Sequence, residues 1–331
     1  MEFSVYNHSL SRVGIISSFT SLIWGESYTG SGKLQVVLPK TADAARIIAC
    51  GNFIGIPSSD TLMIIQSTED KDNSIWAYGC EAKSLLAARV YAGTVKCKGN
   101  IELALRAAVT ESRPYSILGL APLRGITKTT TSQRTYPTLY ELSRVWCETG
   151  DMGFRLIHDK SAHRLLYDVY EGAERNGIKF AEQYGNLTNL ERLLSETSYR
   201  NFAYVGGEGE GSDRVFVTAG DSSATDFERR EIFVDARDLQ REEGQTLDEY
   251  KTLLVARGNE KLNEAARVQE ITFDISSTDF GKSFYLGDII TCVLPDYNSV
   301  LSVRVAEFTN TYENNQITTQ LTLGNPILRG I

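Results

Sequence analysis

The sequence predicts an α+β, β-rich fold: two small antiparallel β-barrel-like domains, with an α/β insertion and a helical segment between them. Three observations carry this expectation. Short apolar runs separated by Gly, Pro, Asn and Asp recur at both ends of the chain. A helix-strand-strand pattern occupies the middle, and a long amphipathic pattern covers 247–267.

Taken in order, Phe3, Val5 and Leu10 lead into an apolar run at 15–24. The turn-rich stretch GESYTGSG at 25–32 follows, then KLQVVL at 33–38, closed by Pro39. Two apolar runs around a Gly/Ser segment predict a hairpin. Strands follow at 62–66 and 75–79, joined by the polar turn 68–74, and apolar residues at helical spacing predict short helices over 83–91 and 101–109. The Thr-, Pro- and Gly-rich stretch 112–136 reads as a loop. Beyond it, LYELSRVWCE at 139–148 sets Leu139, Leu142, Val145 and Trp146 on one helical face, and Gly150-Asp151 ends the helix. Strands at 154–158 and 164–169 flank the turn 159–163.

Strand character resumes from Ile178, with runs at 199–206 and 214–218 around the loop 207–213, then 229–235. The helix over 247–267 has an apolar face of Leu247, Tyr250, Leu254, Leu262 and Ala265. Gly258 interrupts it at a cost of ~1 kcal/mol, which predicts a division into two shorter helices. Runs at 269–275, 289–294, 300–308 and 317–323, with turns at 286–288 and 313–315, read as a small antiparallel barrel. The expected division is therefore 1–113 for an N-terminal barrel completed by strands from about 178–220, and 114–177 for the α/β insertion. A charged and helical connecting segment covers 221–268, and the C-terminal barrel 269–331.

Composition restricts function. The chain of 331 residues has 34 Lys plus Arg against 42 Asp plus Glu, a formal charge of -8. Nucleic-acid affinity comes mainly from cations neutralising phosphates, so this balance gives no general reason to grip DNA. The five cysteines form no CxxC pair and read as free thiols of a reducing compartment. The uncharged stretch 13–24 is shorter than the ~20 residues of a membrane span, and neither a basic leader nor an Ala-x-Ala site is present. No membrane span is expected.

The search for chemistry excludes more than it finds. His158 and His163 stand five apart across a turn without a third ligand, unlike the helical HExxH pattern. The segment GGEGEG at 206–211 precedes a strand rather than a helix, and Glu208 and Glu210 repel an anion, so it reads as a hairpin loop. Asp235, Asp238, Glu242 and Glu243 are interleaved with Arg229, Arg230, Arg237 and Arg241, which reads as an ion-pair network before a general acid and base. No GxSxG motif is present. No catalytic residue, cofactor or metal site is expected, and the chain reads as a non-enzyme.

Several segments together resemble a known family. SLIW at 21–24, Tyr28 and 32–38 leading to Pro39, then Gly51-Asn52 and 63–65, are similar to the opening of siphovirus tail hub proteins. The likeness continues through Asn186-Leu187, SYRNFAYVGG at 198–207, Arg229-Arg230-Glu231 and DARD at 235–238, and closes with Gly281, Tyr285, LGDI at 286–289 and Leu323-Gly324. The chain resembles the N-terminal hub module of tail-associated (Tal) proteins, similar in plan to myophage baseplate hubs and type VI secretion spike bases.

The resemblance implies a homotrimeric ring of two related barrels per subunit, adapting a hexameric tail tube and distal tail protein above to a threefold tip, spike or fibre protein below. It implies a virion component of the tail tip or baseplate, synthesised in the host cytoplasm, with tape-measure protein and DNA passing through the lumen without specific binding. An acidic lumen is compatible with a sliding duplex. Larger family members carry a C-terminal hydrolase or fibre domain; this chain stops at Ile331, which argues against a hydrolase activity. Within the hub expectation, Leu286, Gly287 and Asp288 form a tight turn at the rim of the C-terminal barrel, and Asp235, Arg237 and Asp238 lie near a subunit boundary. Two other readings of the sequence stand beside it: a cell-wall or glycan hydrolase using scattered carboxylate pairs, and a carbohydrate- or receptor-binding module using Tyr and Trp.

Overall fold

The computed structural model describes residues 1–112, 114–275, 280–294, 299–314 and 316–326. The expected boundary at Arg113, the turn residue Asn315 and the chain end at Ile331 lie outside these. The fold is α+β and β-rich.

The N-terminal part contains β1 (Phe3–Tyr6), β2 (Arg12–Ile16), β3 (Ser21–Ser27), β4 (Lys33–Pro39), a short helix α1 (Ala42–Ile47), β5 (Phe53–Gly55), β6 (Met63–Lys71) and β7 (Ser74–Glu81). The run at 15–24, expected as one strand, is broken between β2 and β3. Polar Ser17 and Ser18 mark the bend, after which β3 pairs antiparallel with β4 while β2 pairs with β1. The predicted helix at 83–91 is a 3-10 turn, Ala82–Ala88.

Next come β8 (Thr94–Asn100), α2 (Ile101–Ser112), β9 (Leu118–Leu120), β10 (Thr129–Thr135), α3 (Leu139–Gly150), β11 (Gly153–Asp159) and β12 (Arg164–Tyr170). Thr138 caps α3, accepting from the Glu141 N–H at 3.1 Å, and Asp151 ends it at φ 56. The stretch 112–136 is not a plain loop: β10 pairs along its whole length with β8, and β9 adds to β12. Leu105, Val145, Trp146, Phe154 and Tyr167 build a core that also takes in Ala82 and Val95. The inserted unit therefore begins well before residue 114.

The chain then runs through β13 (Glu174–Phe180), β14 (Leu187–Ser195), β15 (Phe202–Gly206), β16 (Phe216–Gly220), β17 (Glu231–Asp235), α4 (Leu247–Glu264), β18 (Val268–Ile275), β19 (Ile289–Leu294), β20 (Ser299–Glu313) and β21 (Gln316–Pro326). The strands from about 178–220 do not complete an N-terminal barrel. β13 pairs with β19 and β14 with β18, because Phe180 packs against Phe273 and Phe284 of the C-terminal part. β15, β16 and β17 form a separate sheet whose Ala203, Val205 and Val234 pack with Tyr250 and Leu254 of α4. The connecting segment is thus a third unit with its own small core.

Gly258 does not divide α4, which runs unbroken from Leu247 to Glu264 behind a Thr246/Glu249 capping box. A Cβ there would stand 2.7 Å from Ala219 Cβ and 2.8 Å from Val205 Cγ2, so the glycine permits close helix–sheet approach.

One 13-stranded sheet unites both ends of the chain. Its pivot is β20: Ser299–Arg304 pairs with β19, and Glu307–Glu313 pairs along the same edge with β3. Register shifts between Val303 and Glu307 on the opposite edge, facing β21, bend the strand where it changes partner. Leu22, Trp24, Val36 and Ile65 share one continuous core with Phe273, Ile290, Val305 and Leu321.

Candidate functional site

The two end parts and the insertion meet at Tyr28, just past β3. Its hydroxyl accepts from the Gly172 N–H at 3.1 Å and donates to the Tyr170 carbonyl at 3.2 Å, and its ring meets Tyr170 edge-on. A Cβ on Gly153 or on Gly287 would stand 2.3 Å from the ring, so both positions need glycine. Arg304 lies 5.0 Å over the same ring, binds Asp151 through Nε at 3.0 Å and donates to the Gly287 carbonyl. Burial pushes the Tyr28 phenol far above its ordinary value.

The structure places Leu286, Gly287 and Asp288 in this joint. The Asp288 N–H closes a turn onto the Tyr285 carbonyl at 3.0 Å, and Gly287 has φ +90, a conformation that L side chains rarely adopt. Asp288 is 3% exposed; its carboxylate accepts from the Ala173 N–H at 2.7 Å, Arg175 Nε at 2.8 Å and the Tyr285 N–H at 3.0 Å. Leu286 packs against the main core.

Leu286 and Asp288 also line a cleft of about 940 Å³, bounded by the end of β3, the 57–60 loop, β11, the segment after β12 and β20. Two further buried carboxylates, Glu81 and Glu26, stand in its wall. Glu81 accepts from the N–H groups of Gly32 at 2.7 Å and Ser27 at 3.0 Å, and pairs with Lys83 at 3.3 Å. Burial raises Glu81 to about 7, with Lys83 opposing and Glu26 adding to the rise. Glu26 accepts from Trp24 Nε1 at 2.8 Å and Ser59 Oγ at 2.6 Å through one oxygen, Oε1. His158 is 7% exposed, meets Tyr6 edge-on and has neither ring nitrogen hydrogen-bonded among the described residues; burial lowers its pKa.

Asp235, Arg237 and Asp238 lie elsewhere, on the third unit. Arg237 pairs with Asp235 of its own chain at 2.6 Å, and Arg214 joins the same carboxylate at 2.7 Å; these hydrogen bonds hold Asp235 down at about 2. Asp235 ends a sheet face that presents Tyr204, Phe216 and Phe233, each 42–55% exposed, with Arg214 over the two phenylalanines at 5.4 and 5.5 Å. Asp238 turns inward to Arg257 at 3.0 Å, and Arg257, Glu260 and Arg134 form a buried network joining α4 to β10. Sequence reasoning missed this network, the Tyr28 joint and the cleft carboxylates. Among the described residues, no group of three or more His, Cys, Asp or Glu is arranged to hold a metal ion, and no helix is long and apolar enough to cross a membrane.

A family model described as siphovirus ReqiPepy6 Gp37-like protein matches residues 2–325. The chain belongs to that family. Its fold is similar to the tail protein from Neisseria meningitidis MC58, at TM-score 0.61 and 11% identity over 98% of this chain and 96% of that one. The prophage MuSo2 43 kDa tail protein from Shewanella oneidensis gives TM-score 0.61 and 11% identity, covering 98% of both chains. Prophage tail protein gp18 from Listeria monocytogenes EGD-e gives TM-score 0.59 and 10% identity, over 98% of this chain and 94% of that one. No curated protein matches the sequence. The fold is thus that of phage and prophage tail proteins.

Proposed function

We propose that this chain is a structural hub of a phage, prophage or phage-tail-like particle, acting by assembly and not by catalysis. The observation that carries the reading is the fold likeness to tail proteins over nearly the full length of both chains, joined to the family match across 2–325. In this reading three copies close a ring in the baseplate or tail tip, with the distal tail and tail tube proteins above and a tip, spike or fibre protein below. Tape-measure protein and DNA pass through its lumen. The two strand sets fused through β3 and β20 supply six barrel-like units to a trimer, which suits a sixfold-to-threefold adapter.

In the same reading, the chain divides into the main sheet and the two units described above, and the Asp235–Asp238 region lies near a subunit boundary. The half-exposed rings of Tyr204, Phe216 and Phe233 beside Asp235 support that placement. Imaging of assembled particles tests the hub reading: three copies around the axis below the tube are expected. Six copies, or a position off the axis, refute it.

A further inference from the structure

We propose that the cleft beside Glu26 receives the basic side chain of a partner polypeptide, its ammonium or guanidinium group completing a buried carboxylate that has no cation partner among the described residues. The argument is one of charge. Six carboxylates line the cleft against three cations: Glu26, Asp60, Glu81, Asp159, Glu171 and Asp288 against Arg155, Lys160 and Arg175. Four of the six have a cation of their own within ion-pair distance: Asp60 has Arg155 at 3.5 Å, Glu81 has Lys83 at 3.3 Å, Glu171 has Lys128 at 3.7 Å and Asp288 has Arg175 at 2.8 Å. Asp159 is engaged by its own turn, accepting from the N–H groups of Ser161 and Ala162.

Glu26 remains. It is 8% exposed and, among the described residues, makes no ion pair; its two hydrogen bonds both fall on Oε1. A buried carboxylate is ordinarily paired, because removal from water penalises the charge. His158 in the same wall is a second polar side chain more than nine-tenths buried, with neither ring nitrogen hydrogen-bonded among the described residues. The Tyr285 and Phe308 side chains on the C-terminal wall offer apolar surface for the aliphatic stem of a lysine or arginine. The cleft therefore fits a cation carried on an apolar arm.

This inference does not rest on the hub reading, and its test is made on the isolated chain. Trp24 Nε1–H donates to Glu26, so its indole resonance, one of three tryptophan signals, reports occupancy directly. Titration with N-acetyl-arginine amide and N-acetyl-lysine amide is expected to shift that resonance with millimolar half-saturation, while N-acetyl-glutamine amide leaves it in place. Glu26→Gln keeps an acceptor for Trp24 and Ser59, and weakens binding at least ~10-fold; Glu171→Gln, whose carboxylate already has Lys128, leaves it unchanged. In denaturant titration, Glu26→Gln matches or exceeds the native chain, since it removes an uncompensated buried charge. No shift with either cation, or equal affinity after Glu26→Gln, overturns the proposal, as does a large loss of stability in that variant.

Discussion

The charge network between α4 and β10 gives a sharp quantitative prediction. Arg134, Arg257 and Glu260 are 6, 7 and 8% exposed. Glu260 accepts from Ser132 Oγ and Arg134 Nη2, each at 2.7 Å, and stands 3.6 Å from Arg257 Nε. Arg257 also binds Asp238 at 3.0 Å and the Gln133 carbonyl at 2.9 Å. Two guanidinium groups thus face two carboxylates. Glu260→Gln keeps the shape and one acceptor but leaves two buried cations against Asp238, whose side chain is 39% exposed. Removing one member of a buried pair costs about 3–5 kcal/mol, and no discount for solvent screening applies at this burial. Urea unfolding followed by tryptophan fluorescence reads the loss locally, because the fully buried Trp146 donates to Ser132 at 3.1 Å within the same cluster. Replacing Arg134, Arg257 and Glu260 together by Met is expected to be near neutral. A loss below about 1 kcal/mol for Glu260→Gln, the range of an exposed pair, refutes the reasoning.

Three further outcomes are expected. Gly287→Ala destabilises by at least ~2 kcal/mol in thermal or denaturant unfolding, since it combines φ +90 with a Cβ 2.3 Å from the Tyr28 ring. Tyr28→Phe keeps the ring but leaves the Gly172 N–H without its acceptor, which costs about 1–3 kcal/mol by the same measurement. Burial holds His158 below its ordinary 6.5, so the folded state resists its protonation and stability falls as pH drops from 6.5 toward the lowered folded value. His158→Phe flattens that slope in denaturation midpoints taken between pH 7.5 and 5.5; an unchanged slope contradicts the assignment. Glu81, raised from 4.5 to about 7, acts in the other direction across that window, its contribution fading as pH rises, and is common to both chains.

Much of the fold was legible because apolar periodicity and turn residues carry local information. α3 and the β11–β12 hairpin follow from a clean apolar face and a polar turn. β10 was not legible: TTTSQRT has no apolar residue, yet Ser132, Gln133 and Arg134 are buried because partners from α4, far along the chain, satisfy them. At Gly258 helix propensity predicts a break, although the packing of α4 on Ala219 and Val205 decides the position. At the cleft a usable signal existed. Glu26 continues the parity of buried Leu22 and Trp24, and Glu81 that of Ile75 and Ala77, so strict alternation places both carboxylates inside. Charge-based reading treats such residues as solvated, and that preference hid them.

The units of the chain are joined in two different ways. The end parts are tied by backbone pairing: Ser21–Ser27 of β3 runs against Glu307–Glu313 of β20 in unbroken register, over a shared core. Moving one strand set against the other requires breaking a ladder and exposing that core together. The third unit is held to the insertion differently, by side-chain links such as Arg134–Glu260 and Arg257–Asp238 and by the half-exposed Lys96–Glu242 pair at the rim. Its own core is small, built around Tyr250, Leu254, Ala203 and Val205. The two strand sets are thus joined through backbone and core, whereas the unit held by side-chain links carries the exposed rings of Tyr204, Phe216 and Phe233.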